Sequence, residues 1–392
     1  MVVGARNAVA TTFILNGLVF ATLFSRVPDL RERLDLNNGQ LGLLLLSISV
    51  GSLLGLPVSG RLIERFGATA VCRGGGVLCA VGMGVIALGV SGLEAEPVVA
   101  AGLGCYGFGT AVWDVAMNVE GAEVERRLGR TVMPRFHAAW SFGSIGGAGV
   151  GVLTSRFAVP LPLHFVVVSA AALVMLLVVV GSFLPAVEHH EEDDAAPGRS
   201  AWLEPRTVAI GAMVLAFTLA EGSASDWLAL ALVDGYDARH FVGVAGFALF
   251  VVAMTAGRLL GPLLLDRFGR VPVLLGSAAA SFVGLLLVIT VGEPVLAAVG
   301  IVIWGLGAAL GFPVGMSAAA DDPRRAARRV SVVSTVGYGA FLAGPPLLGF
   351  VGNEVGTLDS LYVVVAAMVP AAALVFAVRR PREPAGRRPS PG

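Results

Sequence analysis

The sequence predicts an all-α membrane protein with twelve transmembrane helices, arranged in two six-helix, pseudo-symmetric halves. Of its 392 residues, 56% are hydrophobic and 14% are charged, whereas water-soluble domains average about 45–50% and about 25%. The apolar residues fall into runs of about 20, the length that crosses a bilayer as a helix, and related segments recur half a chain apart. This composition excludes a disordered chain and is atypical of a soluble enzyme.

The apolar runs divide the chain into twelve spans joined by short loops. The predicted spans are 7–26, 39–60, 69–90, 97–119, 136–156, 163–185, 205–231, 241–265, 271–290, 294–316, 330–352 and 359–378. Glycine accounts for 52 residues, roughly twice its usual frequency. Because small residues let membrane helices approach each other closely, this glycine content favours a tightly packed bundle.

The basic residues predict the orientation of these spans. All 27 are Arg, and if both termini are cytoplasmic, 21 of them fall in cytoplasmic segments and five fall outside. Cytoplasmic loops of membrane proteins carry the excess of basic residues. We therefore expect a multi-pass protein of the cell inner (plasma) membrane, embedded in the lipid bilayer with both termini in the cytoplasm.

An internal repeat divides the spans into two halves. Residues 106–114 (YGFGTAVWD) align with 304–312 (WGLGAALGF), and 136–146 align with 334–344. A parallel duplication of six spans predicts two helix bundles. Their predicted bounds are 1–186 for the N-terminal bundle, 187–204 for a cytoplasmic linker, 205–378 for the C-terminal bundle and 379–392 for a disordered cytoplasmic tail.

A short loop motif follows span 2 and recurs after span 8. Its residues are Gly60, Glu64, Arg65 and Gly67 in the first copy and Asp266, Arg267, Gly269 and Arg270 in the second. Both copies resemble the cytoplasmic loop motif of the major facilitator superfamily (MFS). The resemblance implies the MFS fold and a gating role, in which acid and Arg hold the cytoplasmic face closed in one state only. The first copy departs from the motif at Ala68, and ordinary tight turns carrying cytoplasmic Arg are the alternative.

Two further segments resemble the fucose:proton symporter-like branch of that superfamily. They are 114–118 (DVAMN) in span 4 and 141–147 (SFGSIGG) in span 5. This resemblance implies a proton-coupled secondary transporter of a small polar solute, such as a sugar or sugar derivative. Those symporters also carry an acid in span 1, where this chain has Asn16. The segment 344–349 (GPPLLG) is similar to an antiporter glycine–proline motif, so a proton-coupled exporter of drugs or metabolites is the alternative.

Span 4 carries a stripe of polar side chains. Tyr106, Thr110, Asp114 and Asn118 follow one another at four-residue steps, which places them on one face of a helix. Ionisable residues at membrane depth are costly and are usually kept for a function. We expect Asp114 to carry the coupling proton, with Asn118 in the same site. The alternative is a buried structural pair between Asp114 and an Arg or His of span 5.

Spans 7 and 8 carry three further ionisable candidates. Glu221 lies near mid-span and is the better candidate for binding substrate or proton, whereas Asp226 lies nearer the outside and alternatively anchors the cavity mouth. Arg258 is the one Arg within a span and is a candidate for binding an anionic group of the substrate. Its alternative is an ion pair with an acid.

The remaining candidates lie in spans 1 and 5. His137 and Trp140 begin span 5, and their repeat equivalents are Thr335 and Tyr338. Because His titrates near neutral pH, His137 is a candidate for proton relay or, alternatively, for a gate residue. Asn16, in the middle of span 1, is a candidate substrate contact.

The sequence contains no motif typical of an enzyme. It has no phosphate-binding glycine loop, no metal-ligand spacing and no plausible Ser/His/Asp cluster. We therefore expect no catalytic residue, cofactor or bound metal, and a monomer whose partners are a small-molecule substrate and protons, not nucleic acid. The alternatives from another class are a transporter-like sensor and a lipid-handling membrane enzyme. Such an enzyme needs acids or His clustered at headgroup level, whereas the candidates here are spread over five spans.

Overall fold

The computed structural model describes residues 2–129, 132–184, 200–322 and 325–379. All regular secondary structure within these ranges is helical. Most of the predicted linker, and all but the first residue of the predicted tail, lie outside the described residues. Those two segments therefore stay predictions.

The described residues of the first half form six α-helices. They are α1 (Val2–Phe24), α2 (Val27–Arg33), α3 (Asn38–Leu88), α4 (Glu96–Leu128), α5 (Met133–Arg156) and α6 (Leu161–Val179). The long α3 combines predicted spans 2 and 3, and it is broken at Gly67, where φ is 78° and ψ is 155°. A residue with a side chain is strained at such a positive φ, so glycine is required there.

In the second half, the part of the chain that the structure describes forms nine α-helices. They are α7 (Pro205–Ser223), α8 (Ala229–Tyr236), α9 (His240–Phe268), α10 (Arg270–Thr290), α11 (Pro294–Ala308), α12 (Gly311–Ala319), α13 (Ala326–Val355), α14 (Thr357–Ser360) and α15 (Tyr362–Leu374). A π-helical turn over Ala224–Leu228 joins α7 to α8 into one span. Likewise α11 and α12 together form a single interrupted span.

Proline and polar side chains account for several helix starts. Pro28, Pro97 and Pro162 lie in the first turns of α2, α4 and α6, where the missing N–H has no intrahelical partner to lose. At the start of α3, the Asn37 side chain accepts from the Gln40 backbone N–H, and the Gln40 side chain accepts from that of Asn37, both at 2.9 Å. This reciprocal capping fixes where the helix begins.

The helices are long and apolar enough for the predicted twelve spans. Ten helical segments of the described chain meet both criteria, and one of them, Asn38–Leu93, has 56 residues. At about 1.5 Å per residue, that segment is long enough to cross a ~30 Å hydrocarbon core twice. The Gly- and Ser-rich α5 supplies the remaining span. The predicted all-α membrane architecture is confirmed.

The sequence repeat has a structural counterpart at the loop motif. Gly67 has φ 78° and ψ 155°, and Gly269 has φ 77° and ψ 173°, so the backbone turns in the same way in both copies. In each copy, the motif Arg lies over the ring of the following Phe, with 5.3 Å between guanidinium carbon and ring centroid. The two halves therefore share local geometry as well as sequence.

Helices pack first within each half and then across the halves. In the first half α1 packs on α5, and α3 on α4 and α6; in the second half α7 packs on α13, and α10 on α11. The halves meet along α3 with α13 and α5 with α9. A cavity between these helix pairs is the natural position for a solute site.

Candidate functional site

A central cavity of about 300 Å³ lies between the two halves. Both halves contribute to its wall, through α1, α3, α4 and α5 on one side and through the π-turn and α13 on the other. The residues that line this wall include Asn16, Asp114, Trp140, Asp226, Tyr338 and Phe341. The structure thus brings together four of the residues predicted from sequence. They are Asn16, Asp114, Trp140 and Asp226.

Asp114 lies on this wall with two of the three other residues of its polar stripe, but Asn118 does not line the cavity. Tyr106 and Thr110 line the same cavity. Asn118, one turn further along α4, donates from Nδ2 to the Asp114 carbonyl oxygen at 2.8 Å and to its Oδ1 at 3.3 Å. No Arg or His forms an ion pair with Asp114 within the described ranges. The buried pair with a cation of span 5, which was the alternative, is not observed.

Asp226 lies on the wall of the same cavity, on the π-turn between α7 and α8. Its residue is only 8% exposed. No side-chain hydrogen bond or ion pair reaches it from the described part of the chain. The sequence had suggested the outer mouth for Asp226 and had favoured Glu221. In the structure, Asp226 is the span 7 acid that faces the cavity.

Glu221 is instead bound to Arg258. The Arg258 Nη2 lies 2.8 Å from the Glu221 Oε1, and this ion pair links α7 to α9. Arg258 therefore follows the alternative predicted for it, in which it pairs with an acid. Glu221 does not line the central cavity, nor a second and larger cavity beside it.

A second, larger cavity of about 1490 Å³ lies toward the end of the bundle that carries the loop motif. His137, Arg258, Asp266 and Arg270 are on its wall. Trp140 lines both cavities, and its Nε1 donates to the Asn16 Oδ1 at 2.9 Å. The bonded pair of Trp140 and Asn16 therefore lies at the junction between the two spaces.

The opposite end of the bundle is closed by polar bonds between the halves. Arg31 forms two hydrogen bonds with Asp234, each of 2.6 Å. Asn38 donates to the Gly352 carbonyl oxygen at 3.1 Å and to Thr357 Oγ1 at 2.9 Å. These bonds tie α2 and α3 of the first half to α8, α13 and α14 of the second.

No comparable bonds between halves occur near the loop motif, as far as the chain is described. Arg270 donates to Asp321 at 2.7 Å and to Ser317 at 2.9 Å. Asp321 also accepts from Arg206 at 2.8 Å, so this network stays within the second half. The first copy of the motif has Ala68 at the position of Arg270. It forms no network equivalent to that of Arg270 and Asp321 among the described residues. Glu64 and Arg65 of that copy, like Gly60 and Gly67, lie away from both cavities.

Tyr338 and Phe341 are among the aromatic residues of the central wall that sequence reasoning missed. A signal for Tyr338 was available, because it is the repeat equivalent of Trp140, and both rings line the cavity. Phe341 carried no such signal. Trp113 and Trp304, by contrast, are fully buried among helices, and they serve packing.

Comparison with known proteins gives the same architecture. The sequence model of the Major Facilitator Superfamily matches residues 9–321 and 238–392. An uncharacterized MFS-type transporter of Yersinia pestis is 30% identical over 344 residues, which is 87% of this chain and 87% of that protein.

Two solved structures are similar over nearly the whole fold. A mutant of the nucleoside transporter NupG has a TM-score of 0.76 at 15% identity and covers 96% of this chain and 99% of its own. A D-xylose-proton symporter has a TM-score of 0.74 at 15% identity and covers 95% and 97%. At such identity the likeness concerns the fold alone.

Proposed function

Because the chain belongs to the Major Facilitator Superfamily of membrane transporters, we propose that it carries a small polar solute, a sugar or sugar-like molecule, coupled to protons. The observation that carries this proposal is the position of Asp114. Its carboxyl group lines a cavity enclosed between the two halves and has no ion-pair partner in the described chain. The transporter is a monomer in the cell inner membrane with both termini in the cytoplasm.

The coupling follows from the free energy of a buried charge. An ionised carboxylate in a partly dry cavity is costly unless a cation or hydrogen bonds compensate it. Protonation removes the charge, and so it changes the relative free energies of conformations that expose the cavity to different sides. Asn118 gives Asp114 one donor and no positive charge, which leaves the carboxyl group available to a proton.

The geometry also supports alternating access between two states. The end that carries Arg31 and Asp234 is closed, while the large cavity lies toward the end that carries the loop motif. Since that end holds the Arg-rich loops expected on the cytoplasmic side, this is the inward-facing state. The outward-facing state requires the Arg31–Asp234 bonds to break and the loop motifs of the two halves to approach.

The wall of the central cavity suits a small solute with hydroxyl groups. Thr110, Ser225 and Asn16 offer polar atoms, and the aromatic rings offer flat faces. The fold neighbours include a nucleoside transporter and a D-xylose-proton symporter, which supports a polar organic substrate. Export of a drug or metabolite is the second candidate. The observation in its favour is that several aromatic side chains line the central cavity.

The test is transport by the purified protein in liposomes. A thermal-shift screen of sugars, polyols and nucleosides first identifies a ligand, because a ligand that binds the folded state raises its stability. An imposed pH gradient should then drive accumulation of that ligand by the wild type. Asp114→Asn should abolish gradient-driven accumulation while counterflow exchange survives, since the neutral amide keeps the site but removes the proton.

The matched control is Asp359→Asn, which neutralises an exposed acid in α14. It should transport like the wild type. Unchanged gradient-driven accumulation by Asp114→Asn would refute the coupling role. Ligands restricted to bulky apolar drugs would favour the exporter over the sugar transporter.

A further inference from the structure

The central cavity combines two carboxyl groups with no cationic side chain on its described wall. Asp114 comes from the first half and Asp226 from the second. Arg258, the nearest candidate for a compensating charge, lines the other cavity and is bound to Glu221. The wall is therefore negative whenever either carboxyl group is ionised, which disfavours an anionic solute and favours a cationic one.

The two carboxyl groups differ in how well the protein satisfies them. Asp114 accepts a hydrogen bond from Asn118. Asp226 is 8% exposed and accepts none from the described side chains. A carboxylate buried in this way is costly unless a charged, hydrogen-bonding partner reaches it. The described residues offer no such partner, so the open side of Asp226, which is the cavity, is where one can bind.

The π-turn gives this position a structural basis. The π-turn over residues 224–228 is wider than an α-helical turn and contains one extra residue. It therefore turns Asp226 to a different side of the span from the one that a continuous α-helix would give it. Single π-turns of this kind are frequently found at functional sites. The backbone irregularity and the unpaired acid thus coincide.

Aromatic rings line the same cavity. Trp140 comes from the first half, and Tyr338 and Phe341 from the second. Aromatic faces attract organic cations, most strongly where water is excluded. The volume of about 300 Å³ is at the small end of ligand pockets, so the occupant is a small molecule.

We infer that the transported solute carries a protonated amine, which binds the carboxylate of Asp226 beside these aromatic rings, while Asp114 exchanges the coupling proton. This inference rests on the transport function proposed above and narrows its substrate to a small, polar, amine-bearing molecule. It assigns separate tasks to the two acids of one cavity.

Matched pairs of ligands that differ in one group test this inference. The probes are D-glucosamine with D-glucose and D-galactosamine with D-galactose, with N-acetyl-D-glucosamine as an uncharged amide. Binding is measured by calorimetry in detergent and transport in liposomes. For the wild type, each amine should bind at least about tenfold more tightly than its hydroxyl partner, because a hydrogen bond to a charged group is among the stronger ones.

Variants at Asp226 separate the charge from the fold. Asp226→Asn should bring the affinity for each amine to within about twofold of its hydroxyl partner, and Asp226→Glu should restore part of the difference. Asp359→Asn should leave the difference intact. An unchanged melting temperature of Asp226→Asn shows that the variant is folded.

The outcomes distinguish this inference from the transport function beneath it. Equal or better transport of the hydroxyl members overturns the amine inference and leaves the sugar transporter standing. Loss of pH-driven uptake in Asp226→Asn, with no amine preference in the wild type, also overturns it and makes Asp226 a proton site. If no probe is bound or transported, both the inference and the sugar-like substrate class fail.

Discussion

Arg31 and Asp234 join the two halves of the protein through two parallel hydrogen bonds of 2.6 Å each, at the end opposite the loop motif. The side chains are 22% and 26% exposed, so water and salt screen the pair partly. Thr357 and Asn38 extend the contact. This ion pair connects the two halves directly and helps to hold that end of the bundle closed.

We predict that Arg31→Ala shifts the equilibrium toward the outward-facing state. A partly exposed ion pair is worth about 1 kcal/mol or less, which changes a two-state population ratio up to roughly fivefold. Spin labels on α2 and α14 would report the shift as a larger share of long distances. Arg33→Ala, which removes a neighbouring exposed Arg whose side chain has no hydrogen-bond partner among the described residues, is the control. Identical distance distributions for Arg31→Ala and wild type would contradict the prediction.

The close approach of α3 and α13 at this end gives a second prediction. A Cβ atom added at Gly42 would overlap the Pro345 carbonyl oxygen of the other half. Gly42→Ala should therefore prevent full closure of the outer end and reduce transport strongly. Gly84→Ala in the same helix is the control, since nothing lies within 4 Å of its added Cβ. Normal transport by Gly42→Ala would show that the outer end does not need this contact.

The Glu221–Arg258 pair gives a third prediction, for stability. Arg258→Gln leaves the Glu221 carboxylate without its cation, and the double variant Glu221→Gln/Arg258→Gln removes both charges. Because both side chains are partly exposed, at 19% and 29%, we expect a loss of about 1–2 kcal/mol for the single variant and recovery in the double variant. Thermal unfolding in detergent measures both. Additive losses would mean that the two residues do not interact.

Glu204, the residue immediately before α7, gives a prediction for pH. Burial by itself raises the pKa of Glu204, but hydrogen bonds from Arg329 and Thr207 and the nearby charge lower the pKa overall below its usual 4.5. A carboxyl group with a lowered pKa stabilises the folded state above its unfolded pKa, and this contribution is lost as pH falls through the folded pKa.

The difference in melting temperature between wild type and Glu204→Gln should therefore be largest near neutral pH. It should shrink as pH falls below 4.5. Melting curves across this range measure it, with Asp359→Asn as the control. A difference that stays constant with pH would mean that the carboxylate charge of Glu204 does not contribute.

Local pattern was enough to predict the membrane fold and part of the site. Hydropathy gave the spans, the repeat gave the two halves, and the motif glycines gave the turns at Gly67 and Gly269, because each depends on residues close together in the chain. The four-residue spacing also placed Asp114 and its stripe on one helix face, and the structure puts that face on the central cavity.

The two acids of span 7 show what only tertiary structure decided. The sequence pattern placed Glu221 near mid-span and Asp226 nearer the outside, but it could not tell which of the two side chains faces the cavity. That depends on Arg258, 37 residues away in α9, and on a π-turn that departs from the regular helical period. In the same way, Tyr338 and Trp140 line one cavity only because the two halves pack face to face. The sequence by itself determined which segments are long and apolar enough to cross a membrane and which charges lie within them. The packing of helices distant in the chain decided which of those charges are paired within the described residues and which line the central cavity.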